Sequence, residues 1–178
     1  MATYHTETKN KAAAALWKLI EMNTLEAVTI TMICQEAGIN RRSFYRHFAD
    51  KVDVLVYSLE QKRVGYIDVR AKAQTMTEMI GLSFQFYKKQ KKYLQLLSQN
   101  ELLPVLYRMM QSGNLFDDEL DIYMERAKVP ACLREYVANV ITATHTSLLM
   151  TWIEHDFQES WQELSRFELS MFSVMKRS

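Results

Sequence analysis

Glycine and proline are scarce in this chain, four and two among 178 residues. With so little to interrupt a helix, and with Leu, Met, Ala, Lys and Glu abundant, helix is favoured throughout. No segment alternates apolar and polar residues between turn signals as a half-buried strand does. Cysteine is equally rare: Cys34 and Cys132 stand alone, match no CxxC or Cys/His spacing, and are each expected as buried, reduced thiols. No apolar run approaches the roughly 20 residues that span a bilayer, and the N-terminus lacks the apolar core of a signal peptide. A cytoplasmic protein with no membrane partner is expected. There is no phosphate-cradling glycine loop, no HExxH and no nucleophile elbow, so no enzyme, cofactor or metal is expected. Glu154-His155-Asp156 gathers titratable groups at a helix end, but adjacent residues do not share a helix face.

What is present is apolar side chain, 48% of the chain, enough for a real core. An all-α globular protein follows. The formal charge of +1 does not by itself favour nucleic acid, so any such role has to rest on local clustering.

That clustering lies between Asn40 and Lys51. Gly38 supplies a turn, Ile39 an apolar flank, and Asn40 an N-cap for a short helix. Ile39 and Phe44 stand at the spacing of a hydrophobic staple, and Phe44 and Phe48 anchor the inner side. Arg41 and Arg42 fall on the first exposed turn, where a planar guanidinium can pair with guanine O6 and N7. Tyr45, Arg46, His47 and Lys51 offer donors just behind, suited to phosphate oxygens. The cations in this stretch meet Asp50 alone, whereas Asp117, Asp118, Glu119 and Asp121 cluster elsewhere. The competing reading is a solvated basic face on a structural helix. The residues upstream tip the balance. Thr29 can N-cap a helix to about Ala37, with Val28 and Ile33 as a second staple, and helix, Gly38 turn and helix make a helix-turn-helix.

Taken together, Thr29, Ile33, Ala37-Gly38, the Phe-Tyr-Arg-His-Phe block at positions 44 to 48, and Lys51 resemble the N-terminal domain of the TetR/AcrR family of bacterial transcription regulators. The resemblance implies backbone contacts from Thr29, Ser43, Tyr45, His47 and Lys51, and base-facing positions for Thr31, Arg41 and Arg42. Cys34 departs from the usual alanine. Arg42 stands where a small residue is common, which leaves it between base and phosphate contact. The implied architecture is a three-helix helix-turn-helix DNA-binding domain over residues 1–70 and a helical effector-binding and dimerisation domain over 71–178. The implied function is a repressor that binds a double-stranded operator as a homodimer and is released by a small apolar or amphipathic molecule. The alternative is a coactivator or adaptor of the same fold acting through a protein partner, as in relatives that control dihydroxyacetone kinase operons.

Along the chain, polar residues 1–8 precede a first helix capped by Thr6 or Thr8 and running to about Met22, with Ala12, Leu16, Leu19 and Ile20 on one face. Lys9 and Lys11 near its start read as a solvated face or a reach toward flanking phosphate. Asp50 is expected to cap a fourth helix to about Arg70, with Val52, Leu55 and Leu59 as its inner stripe. Thr75 is expected to cap a central helix. The lysine run from Lys88 to Lys92 reads as a solvated helix end or as a second nucleic-acid patch. Short helices are expected over 93–98 and 102–110, a loop over 112–114, and a helix from Asp117 to about Lys128.

Pro130 suits the first turn of a long helix to about Asp156, with a seam of Leu133, Val137, Val140, Ile141, Thr144, Leu148 and Trp152. Ser160 and Glu163 form a capping box opening a last helix striped by Leu164, Phe167, Met171 and Val174. These two C-terminal helices are the expected homodimer interface, as the family resemblance also implies, with use of both faces in the intramolecular core as the competing reading. Methionine and tyrosine in the second region fit a mostly apolar effector pocket. Phe84, Tyr87, Tyr107, Met110, Tyr123 and His145 are its candidate residues, with core packing as the competing reading.

Overall fold

The structure is a computed structural model that describes residues 2–70, 72–112, 124–125 and 128–174. All regular structure among them is helical. The chain divides into two compact units, Met1–Gly65 and Tyr66–Ser178. Among the described residues no helix is long and apolar enough to cross a membrane.

The first unit is built from α1 (Ala2–Ile20), α2 (Ile30–Ala37), α3 (Arg41–Tyr45) and most of α4 (Lys51–Arg70). Helix α1 starts well before the expected cap at Thr6 or Thr8, and Thr8 is buried in the helix interior. No glycine or proline precedes these threonines to stop the helix, and Glu7 pairs with Lys11 one turn on at 2.7 Å. The core is apolar and dense: Ala12, Leu16, Val28, Ile33, Phe44, Val54 and Leu55 are fully buried. Each large side chain among them contributes about 1.5–3 kcal/mol by leaving water.

Caps define the short helices. Thr29 Oγ1 accepts from the Met32 amide at 3.2 Å, and Asn40 Oδ1 from the Ser43 amide at 2.8 Å. Gly38 closes α2 at φ +64°, a left-handed conformation a side chain would strain, with the Ile39 amide donating back to Cys34 O at 3.0 Å. Asp50 caps α4 reciprocally: Asp53 N donates to Asp50 Oδ1 at 2.9 Å, and Ala49 N donates to Asp53 Oδ2 at 3.0 Å. The inner stripe of α4 differs from expectation. Val52 is exposed, while Val54 and Ser58 join Leu55 and Leu59 inside, because Ser58 Oγ has the Trp17 indole N–H to accept.

The second unit holds the end of α4, then α5 (Met76–Lys89), α6 (Lys91–Gln99), α7 (Leu103–Ser112), a 3-10 turn (Ala131–Leu133), α8 (Arg134–Glu154) and α9 (Trp161–Val174). Thr75 caps α5 by accepting from Glu78 N at 3.1 Å. Ser160 and Glu163 form the expected box, with Ser160 Oγ accepting from Glu163 N at 3.2 Å and Glu163 Oε2 accepting from Ser160 N at 2.9 Å. Ser112, expected in a loop over 112–114, ends α7; the rest of that loop and most of the helix expected from Asp117 to Lys128 lie outside the described residues.

Two sequence readings change in this unit. Lys88 and Lys91 are not a solvated run: their ammonium groups donate to Phe157 O at 3.3 Å and Asp156 O at 3.0 Å, holding the turn that follows α8. Cys132, expected buried, is exposed on the 3-10 turn, whereas Cys34 is buried.

Candidate nucleic-acid interface

Thr31, on the first turn of α2, and Arg41 and Tyr45, on α3, meet on one exposed surface. Arg41 Nη1 donates to Thr31 Oγ1 at 3.3 Å and Nη2 to Tyr45 Oη at 3.4 Å, with the guanidinium carbon 5.8 Å from the Tyr45 ring centre. These contacts hold the guanidinium in position while its remaining N–H groups stay available to a ligand. The platform is rigid because Phe44, fully buried, sits edge-on to Tyr45 at 5.6 Å and packs on Phe48 at 5.6 Å.

Arg42 and Arg46 are exposed on the same short helix and its end, Ser43 and His47 are half-buried, and Thr29 is exposed at the α2 cap. The Thr29 hydroxyl accepts from the Met32 amide and retains its own proton to give. Burial pushes the Cys34 thiol upward in pKa, with nearby Arg41 opposing, so Cys34 packs as a thiol beneath this surface. Lys9, a candidate for flanking phosphate, lies over the Tyr57 and Phe48 rings at 5.0 and 5.8 Å.

Lys51 is placed differently from expectation. Its ammonium does not project from the basic face as a free donor: it gives hydrogen bonds to Leu25 O at 2.8 Å, Glu26 O at 2.9 Å and Val28 O at 2.9 Å. Three donors meet three acceptors, so a phosphate oxygen has to compete with backbone carbonyls for this group.

Of the candidate effector residues, Phe84, Tyr87, Met110 and His145 are buried and Tyr107 is exposed, while Tyr123 lies outside the described residues. Three come together: the His145 ring lies 4.9 Å from Phe84 and 6.1 Å from Tyr87, with Trp152 5.7 Å beyond Phe84. Sequence reading missed the partner of His145. Glu168, fully buried on α9, shares a 2.9 Å hydrogen bond from its Oε2 with His145 Nδ1. A glutamate amid Phe167, Leu169 and Met171 offered a faint signal, since a carboxyl group on the apolar stripe of a helix needs a partner. Tyr66 and Ser83 were missed as well; their hydroxyls meet at 2.8 Å, and Ser83 donates to Met79 O at 2.8 Å.

A capped helix-turn-helix with a preformed basic and hydroxyl surface defines a class of protein, the helix-turn-helix DNA-binding regulators. Comparison with known proteins gives the family. Residues 13–57 match the model of the bacterial regulatory proteins of the tetR family. No curated protein matches the sequence. Among solved structures, the dihydroxyacetone kinase operon activator DhaS is similar with a TM-score of 0.66 at 14% identity, over 94% of this chain and 97% of that one. The fatty acid degradation regulator FadR from Bacillus halodurans gives 0.59 at 15% identity, over 90% and 92%. At such identities the likeness shows the all-helical fold alone, over nearly the whole chain.

Proposed function

We propose that this chain is a sequence-specific repressor in the cytoplasm that binds a near-palindromic operator as a homodimer and is released by a small apolar or amphipathic effector. The observation that carries the DNA-binding reading is the Thr31–Arg41–Tyr45 cluster on an exposed, capped helix-turn-helix. In this reading Thr31 and Arg41 face bases, with Arg42 beside them, and Thr29, Ser43, Tyr45, Arg46 and His47 hold phosphates.

One short helix reads few bases, so a two-fold pair about 34 Å apart is needed for useful specificity. Exposed apolar residues on the two C-terminal helices support such a pairing. Leu133, Tyr136 and Val140 lie exposed along the 3-10 turn and α8, and Phe167 and Met171 along α9, although Ile141 and Trp152 of the same expected seam are buried. The proposed effector site centres on Phe84, Tyr87 and His145, whose rings come together; buried Met110 and exposed Tyr107 are further candidates, and Tyr123 lies outside the described residues. An effector that favours a conformation with mis-spaced recognition helices lowers operator affinity by its differential affinity for the two states.

Selection of bound sequences from a random DNA pool by the purified protein tests this at a stated moderate salt concentration. An enriched near-palindrome is expected. No enrichment by a demonstrably folded protein would overturn DNA reading and turn the search toward a protein partner. In the same assay Arg41→Ala is expected to relax base preference, and an unchanged preferred sequence would remove Arg41 from base readout. Equilibrium sedimentation of a Tyr136→Glu/Phe167→Glu double variant is expected to show monomer; undiminished self-association would place the interface elsewhere.

A further inference from the structure

The Lys51 ammonium joins two places 23 to 26 residues apart in the chain, the first turn of α4 and the turn just before α2. On one side α4 is fixed by its reciprocal Asp50–Asp53 cap and by Val54 and Leu55, both fully buried. On the other, the carbonyls of Leu25, Glu26 and Val28 converge on one point, and the segment is anchored inward by the buried Leu25 and Val28 side chains. Thr29, the cap of α2, follows directly, and Thr31, the partner of Arg41, lies two residues beyond. The helix-turn-helix from Thr29 to Phe48 is thus a loop of chain whose two ends are clamped by one side chain.

We infer that Lys51 is a positioning residue for DNA binding: it holds the α2 N-terminus, and through it the Thr31–Arg41 pair, at the DNA-reading angle, and it is not a phosphate contact. The inference rests on the DNA-binding reading above. Three carbonyl oxygens at 2.8–2.9 Å satisfy all three N–H donors of an ammonium, a geometry a longer planar guanidinium does not reproduce. Removing the ammonium leaves converging carbonyl dipoles that repel one another and open the clamp.

The experiment is a salt titration of the full chain on its selected operator, comparing wild type, Lys51→Met and Lys51→Arg, with the folded fraction of each measured by circular dichroism. Failure of wild type to bind any duplex would defeat the underlying reading and is visible in the wild-type curve alone. With wild type binding, Lys51→Met is expected to lose affinity roughly tenfold or more at every salt concentration, giving a parallel line of log K against log [salt]. A slope reduced by about 0.9 for each subunit would make Lys51 a phosphate contact and overturn the inference. So would a lower melting temperature with the affinity of the folded fraction untouched, which is a stabilising role only. Should Lys51→Met fail to fold, Lys51→Arg decides: it keeps the charge a phosphate needs, so wild-type affinity overturns the inference and a parallel loss supports it.

Discussion

The two units bury different kinds of side chain. Among the described residues of the first unit the buried polar side chains are Thr8 and Ser58, both small hydroxyls, and the charged side chains lie outside or on the rim. In the second unit Ser83, His145, Thr146, Ser165 and Glu168 are all buried, two of them ionisable. A dry core with capped ends makes a rigid platform, which a base-reading surface requires. A core containing a His–Glu hydrogen bond depends on both partners staying in place, and Glu168 Oε1 has no hydrogen-bond partner among the described residues. Such a core responds strongly to any change at the pair, which suits the unit proposed to sense an effector.

This contrast breaks most visibly at the pair itself. His145→Leu leaves Glu168 buried with no hydrogen-bond partner and is expected to cost about 3–5 kcal/mol, while a His145→Leu/Glu168→Met double variant regains most of that in urea denaturation. A single-variant loss no larger than that of the double would mean the pair is not coupled. In the first unit the comparable injury is apolar: Phe44→Ala is expected to cost about 3 kcal/mol or more by cavity formation, with no second substitution able to restore it. Cap removal is smaller. Thr29→Ala is expected to cost about 1 kcal/mol, which measurement of the urea midpoint will resolve.

Smallest is the effect at the Ser160–Glu163 box. The hydrogen bonds from Ser160 hold the Glu163 carboxyl below the usual glutamate range. A depressed folded-state value contributes stability that is present above the unfolded value and is lost as pH falls through the folded one. Glu163→Gln is therefore expected to lower stability slightly at neutral pH, where the carboxylate contributes, and to converge with wild type at acid pH, flattening the acid limb; an unaltered acid limb would show that the box is solvated away.

The local elements were legible from residues alone because their causes are local. Asn40, Thr75 and Ser160 announce helix starts through side chains that reach only three residues along, and Gly38 announces a stop through its own φ. That Thr31 and Arg41 share a surface was expected only through family resemblance, since their separation of ten residues carries no periodic signal; the contact of Arg41 with Tyr45 came from the structure. Partners far apart in sequence were not legible. Lys88 and Lys91 looked like a solvated run because the carbonyls they bind belong to residues 156 and 157.

By itself, then, the sequence determined an all-helical chain, most of its caps, and a short basic helix after the Gly38 turn, because helix propensity, capping and amphipathic spacing act over a few residues. Tertiary structure decided which ionisable side chains are occupied and with what. It set Glu168 against His145, and it placed the Lys51 ammonium on three backbone carbonyls. A hydrogen bond depends on where its partner lies in space, and for residues more than twenty positions apart only the packed helices fix that place.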